Sequence, residues 1–157
     1  MNDQDRTIVA AQGYVELGLF DEARRVLRAL PREAFQRSDV IEIGLLCLMG
    51  EHRWSEALAA AHELCAASPS DPSGFIHAAY CLHELGRTAE AMEVLQNGPK
   101  SLKGKSVYYY NLGCYNARLG QIDRALQFLE IAFEKDKSLR RLARKDPDLA
   151  ALRSQLL

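Results

Sequence analysis

The sequence predicts an all-α protein built from stacked helix pairs, and three observations lead there. A short motif ending in alanine returns every 34 residues, at Ala23, Ala57, Ala91 and Ala125, without a slip. Between the motifs, apolar residues keep helical spacing, as in Ile8, Ala11 and Val15 or Phe75, Ala78, Ala79 and Leu82. Nowhere does the chain alternate with the period of two that a half-buried strand requires.

The four motifs are Gly-Leu-Phe-Asp-Glu-Ala (18–23), His-Arg-Trp-Ser-Glu-Ala (52–57), Gly-Arg-Thr-Ala-Glu-Ala (86–91) and Gly-Gln-Ile-Asp-Arg-Ala (120–125). A first helix runs up to each motif and closes on its glycine, which takes the left-handed conformation at little cost. Three residues turn, with Asp21, Thr88 and Asp123 as the expected N-caps. A second helix follows. Its alanine lies where the two helices touch, and Leu27, Ala61, Leu95 and Leu129 lie four residues further along the same face. The units therefore span about 4–37, 38–71, 72–105 and 106–139. The second unit departs from the pattern: His52 stands where the others have glycine, and Gly50 precedes it by two. Its first helix is expected to end early and to be rotated against the register. The third unit closes on Asn97-Gly98-Pro99, so its second helix should be short.

Turn chemistry separates the units. Ser68-Pro69-Ser70-Asp71-Pro72 supplies Asp71 as a cap and Pro72 as a first helical residue, and Lys103-Gly104-Lys105-Ser106 leads into the fourth unit. Asp146-Pro147 is a second such pair, followed by Leu149, Leu152 and Leu156 at helical spacing. Residues 140–157 are read as a capping segment, with a short helix or turn over 138–144 and a helix over 147–155, covering the apolar face a last helix pair leaves open.

A chain of 157 residues is expected to form one domain, 1–157, burying about 70% of the surface its unfolded form exposes. Its net charge of −1 hides a gradient: −4 over residues 1–70, 0 over 71–133 and +3 over 134–157. That distribution lacks the basic footprint nucleic acid demands, and the basic stretch from Lys135 to Arg144 reads as a solvated helix face. The polar, acidic start is unlike a secretory signal, and no apolar run approaches the ~20 residues of a membrane helix. Cys47, Cys65, Cys81 and Cys114 form no Cys-x-x-Cys pair and sit in apolar or small-residue surroundings, as reduced thiols of a cytoplasmic protein would.

With Tyr109, Leu112-Gly113, Tyr115, Gly120, Ala125, Ala132 and Phe133 in the fourth unit, Trp54, Ala57 and Pro69 in the second, Phe75, Gly86 and Ala91 in the third and Tyr14, Gly18 and Ala23 in the first, the chain resembles a tetratricopeptide-repeat protein. Tyr115 stands one residue early relative to the family's pattern. The resemblance implies a right-handed superhelical α-solenoid whose concave face is lined by the first helix of each pair. It also implies a non-catalytic protein–protein interaction module, an adaptor or scaffold that binds a peptide or partner helix there. No cofactor or metal, nucleic acid or membrane is implied. A secretion-type chaperone holding an export substrate is the alternative, and a homodimer through the groove or the C-terminal helix stays open.

Aligning the units brings Gln12, Ile43, Leu46, Ile76, His77, Tyr80, His83, Glu84, Tyr110, Asn111, Cys114 and Arg118 to the concave face. Tyr80, Tyr110 and the aliphatic residues would supply contact area, while Gln12, Asn111 and Arg118 would bond a peptide backbone. Of the three consecutive tyrosines, Tyr109 is expected in the core and Tyr110 in the groove, with Tyr108 toward the preceding unit or solvent. Chaperone adaptors of the family grip a partner's terminal carboxylate with Lys, Asn and Arg on successive first helices. No register of this chain places those cations, so a carboxylate clamp is not expected. A Cys114–His77 or Cys114–His83 pair is a remote enzymatic alternative, and His77 with Cys81 alone makes a weak zinc motif.

Overall fold

The computed structural model describes residues 1–156, and its regular elements are all helical. The chain divides into two compact units, Met1–Pro69 and the remainder from Ser70 on.

The first unit holds two helix pairs: α1 (Asp3–Glu16) with α2 (Phe20–Leu27), and α3 (Ser38–Gly50) with α4 (Trp54–Ala67). A 3₁₀ turn over Arg32–Gln36 links them. Ile8, Ala11, Ala23, Leu27, Leu30, Ala34, Val40, Ile43 and Cys47 form a buried core in this unit. The second unit repeats the plan with α5 (Pro72–Glu84) and α6 (Thr88–Gln96), a 3₁₀ turn over Lys100–Gly104, then α7 (Ser106–Arg118) and α8 (Ile122–Lys135). A short α9 (Leu139–Ala143) and a 3₁₀ stretch over Pro147–Gln155 complete it, the latter packed on α7 with Leu149 and Leu152 fully buried.

The 34-residue register is carried by the turns. Gly18, Gly86 and Gly120 have φ of 72°, 78° and 76°, and His52 takes the same conformation at 59°. Each closes its helix with a Schellman pair. The amides of Gly18 and Leu19 donate to the Val15 and Tyr14 carbonyls, and those of His52 and Arg53 to Met49 and Leu48. The expectation that α3 ends early and rotates is therefore corrected: it ends two residues before His52, as α1 ends two before Gly18. A stack of His52 on Trp54, with centroids 5.3 Å apart, accompanies the unfavourable backbone.

The expected N-caps are also corrected. The second helices begin at Phe20, Trp54, Thr88 and Ile122, after Leu19, Arg53, Arg87 and Gln121, none of which caps through its side chain. The first intrahelical bond of each runs from the repeated alanine's amide to the carbonyl of the residue before the helix, at 3.0, 2.9, 3.1 and 3.0 Å for Ala23, Ala57, Ala91 and Ala125. All four alanines are fully buried. Asp71 and Asp146 do cap, accepting from the Ser73 and Asp148 amides at 2.8 and 3.0 Å.

Two kinds of helix pair alternate. The first and third have second helices of 8 and 9 residues followed by proline and a 3₁₀ turn, while the second and fourth have second helices of 14. Pro31 and Pro99, and the buried Ala34 and Leu102, thus correspond at a spacing of 68. The short α6 agrees with the reading of Asn97-Gly98-Pro99.

The tyrosine triplet is distributed differently from expectation. Tyr108 is buried, whereas Tyr109 is half-buried, packed edge-on against Tyr108 and covered by the Lys135 ammonium at 5.7 Å. One turn of α7 therefore points Tyr108 inward and leaves Tyr109 at the rim.

Candidate functional site

The second unit encloses a cavity of about 580 Å³ between α5, α7 and the C-terminal segment. Helix α5 contributes Tyr80, His83 and Glu84, which share one face at i, i+3 and i+4. Helix α7 contributes Val107, Tyr110, Asn111, Cys114 and Tyr115 by the same spacing, and the C-terminal segment adds Leu139, Leu142, Asp146, Pro147 and Asp148.

Hydrogen bonds hold the C-terminal segment to the helices. The Tyr110 hydroxyl donates to Asp146 Oδ2 at 2.7 Å, and the Cys114 thiol lies 3.7 Å from the same oxygen. His83 has both ring nitrogens engaged, Nδ1 2.9 Å from Thr88 Oγ1 and Nε2 2.8 Å from Asp148 Oδ2, which an Nε2–H tautomer satisfies. Its ring lies 4.7 Å from that of Tyr115. Arg118 Nε approaches Asp148 Oδ1 at 3.6 Å from the exposed side. Turn chemistry places these carboxylates: Asp146 caps the Pro147 turn, and the turn then presents Asp148 two residues on.

The cavity's electrostatics follow. Burial, and next the Asp146 carboxylate, push the Cys114 thiol far above its usual range. That is the opposite of the activation a nucleophilic thiolate requires. Burial and the bond to Asp146 likewise push up the Tyr110 phenol, and burial raises Tyr115 strongly. Tyr80 is raised by burial first and then by Glu84. Cys114 Sγ and carboxylate oxygens of Asp146 and Asp148 lie within 4.8 Å of one another, close enough to share an ion. The thiol is held protonated, however, and both carboxylates already accept hydrogen bonds, so this set is poorly disposed to bind a metal.

Of the residues expected on the concave face, the second unit brings Tyr80, His83, Glu84, Tyr110, Asn111 and Cys114 together around this cavity. Asn111 is buried, and its side-chain amide makes no hydrogen bond among the described residues. Arg118 stands outside the cavity beside Asp148, and Ile76 and His77 are half-buried elsewhere on α5. In the first unit Ile43 is core at 2% exposure, while Gln12 and Leu46 are half-buried. The residues that sequence reasoning left out are Tyr115, Asp146 and Asp148. Asp146 was legible only as a cap, and its distance of 36 residues from Tyr110 hides their pairing.

Fold and comparison agree on what kind of protein this is. Two models of the tetratricopeptide repeat match the sequence, one over residues 6–29 and 72–97 and the other over 107–135. The chain belongs to the tetratricopeptide-repeat family. Among solved structures it is similar to a chain titled MamA MSR-1 C2, with a TM-score of 0.65 and 18% sequence identity. That likeness covers 88% of this chain and 79% of the other. No curated protein matches the sequence. Among the described residues, no helix is long and apolar enough to cross a membrane.

Proposed function

We propose that the chain is an adaptor that takes a peptide segment of a partner protein on the α5–α7 face. Tetratricopeptide repeats are protein–protein interaction modules, and ligands of helical repeat folds settle on surfaces like this one. The observation that carries the reading is the cavity of about 580 Å³ in which Tyr80 offers an aromatic face and Asn111 an uncommitted amide. A rigid aromatic ring gives contact area at little entropic cost, and an amide can both donate to and accept from a peptide backbone. Four free thiols suit a reducing compartment such as the cytoplasm.

The test is selection from a displayed random-peptide library on the intact protein, repeated on a Tyr80→Ala, Asn111→Ala variant. Tyr80 is 38% exposed and Asn111 is not part of the apolar core, so the fold should survive. Peptides enriched on the parent and lost on the variant support the site. Equal enrichment on both places binding elsewhere.

A further inference from the structure

We infer that the first unit carries a docking groove for a second copy of this chain, with Phe35 of each copy seated in the groove of the other. The groove, of about 490 Å³, lies between α2, α3, α4 and the 3₁₀ turn at Arg32–Gln36. Leu27, Ile41, Gly44, Leu48 and Ala60 give it an apolar lining, and Phe35 lines it while remaining 46% exposed. The 68-residue repeat shows what belongs in such a space. At that spacing α3 and α4 match α7 and α8 from end to end, as the first 3₁₀ turn matches the second. The positions of Ile41, Gly44 and Ala60 are held in the second unit by Tyr109, Leu112 and Phe128. There Leu112 is 1% exposed and both rings are half-buried, so that unit fills the space with its own side chains. Leu45 stands for Gly113, but Ala61 stands for the Leu129 that Gly113 admits, so that exchange cancels within the core. The first unit thus lacks a leucine side chain and an aromatic ring, and a Cβ on Gly44 meets nothing within 4 Å. Phe35 itself corresponds to the exposed Lys103. The unit without the internal ring is therefore the one that shows a ring to solvent, and association buries it in the kind of space an aromatic residue fills elsewhere in the chain.

Charge identifies the occupant as a second copy. Arg28 on α2 and Glu63 on α4 both line the groove, both are exposed, and neither has an ion pair or hydrogen bond among the described residues. The groove's other arginines, Arg24 and Arg53, are already held by Glu51 and Glu56. A face with one free cation and one free anion on different helices is complementary to itself under a two-fold rotation, which brings Arg28 of each copy to Glu63 of the other. A purely acidic or purely basic peptide would satisfy only one of the two. In the second unit, where the groove is filled, the same positions are Gln96 and Ile131. The free charges accompany the open groove.

Sedimentation velocity on the intact chain, from about 5 µM to about 1 mM, tests this. The expected result is a mass rising from 17.6 kDa toward twice that value, half-associated at about 10–100 µM because the interface is small. Phe35→Lys, which copies Lys103 at an exposed position, should keep the parent's circular dichroism and weaken the dimer at least about tenfold. Gly44→Leu with Ala60→Phe, which copies Leu112 and Phe128, should fold and stay monomeric. Should that filled variant misfold, the exposed Phe35, Arg28 and Glu63 variants carry the test. Arg28→Glu and Glu63→Arg should each weaken association about tenfold, since like charges then meet twice across the two-fold. An equimolar mixture of those two variants should associate as the parent does, because each face again meets its opposite; a pair formed within one chain would give no such recovery. A parent that stays monomeric throughout overturns the inference. So does a dimer that survives Phe35→Lys or a folded groove-filling variant, and so does a mixture that recovers nothing. The α5–α7 peptide reading is independent of each of these outcomes.

Discussion

A methyl group added at two glycines should move stability in opposite directions, because the space around them differs. Gly44 lies inside α3, and a Cβ built on it meets nothing within 4 Å. Replacing it with alanine removes backbone freedom from the unfolded chain and should stabilise by about 0.5–1 kcal/mol. Gly113 lies inside α7, where the same Cβ would stand 2.6 Å from Leu129 Cγ, 2.7 Å from its Cδ2 and 3.3 Å from the Ala125 carbonyl oxygen. Leu129 is 1% exposed and Ala125 fully buried, so the clash falls on a packed branch carbon that yields only by a change of rotamer within the core or a shift of α8. Overpacking of this kind costs about 1–3 kcal/mol, against a propensity gain of about 0.5–1 kcal/mol, which leaves a net loss of up to about 2.5 kcal/mol. For a chain of this size each kcal/mol shifts the melting temperature by about 2–4 °C. Thermal melts followed by far-ultraviolet circular dichroism should therefore show Gly44→Ala a few degrees above the parent and Gly113→Ala several degrees below. A Gly113→Ala variant melting at or above the parent would refute the close approach of α7 and α8 on which the repeat register rests.

Other consequences are open to measurement. The Arg24 guanidinium grips both Glu51 oxygens at 2.5 Å and, more than any other group, holds that carboxyl at about 2 against an ordinary 4.5. The folded value is the lower one, so this stabilisation is complete above pH about 4.5 and is lost as pH falls toward about 2. Glu51→Gln should give a shallower acid limb in stability measured against pH, and an unchanged limb would count against the pair. Tyr110→Phe removes the donor to Asp146 and should cost about 1.5 kcal/mol or more. Hydrogen exchange over residues 139–156 should quicken with it, and unaltered exchange would mean that packing alone holds the segment. Asn116 is fully buried with Oδ1 unbonded, at a position the repeat fills with Leu48 and Leu82, so Asn116→Leu should raise stability by about 1 kcal/mol. Iodoacetamide followed by mass spectrometry should label half-exposed Cys65 before buried Cys47, Cys81 and Cys114. Faster labelling of Cys114 would show that the C-terminal segment does not cover it.

What the sequence made legible was what local chemistry repeats. Left-handed turns at 18, 86 and 120 need glycine, close helix contacts need alanine, and Asp-Pro pairs start helices, so the register and the turn at 146–147 could be read in advance. Helix starts misled because these helices open at Phe20, Thr88 and Ile122, so Asp21, Thr88 and Asp123 lie inside the first turn and not before it. His52 misled because a non-glycine residue seldom adopts positive φ, and only the neighbouring turn geometry reveals that it does. Helical alignment alone placed Tyr80, His83, Glu84, Tyr110, Asn111 and Cys114 on one face, and all six line the same cavity. Which of them meet Asp146 and Asp148 depends on how the last segment folds back onto α7, and no periodicity encodes that contact.

The alternation of short and long second helices sets the step by which this protein can grow or shrink. A single 34-residue unit is not interchangeable with its neighbour, because one kind ends in proline and a 3₁₀ turn and the other in a helix of 14 residues. The interchangeable module is the 68-residue double unit, which brings its own connector at Pro31 or Pro99. Shortened or extended versions should keep their order when cut by whole modules. Excising one unit would join ends that no existing junction resembles.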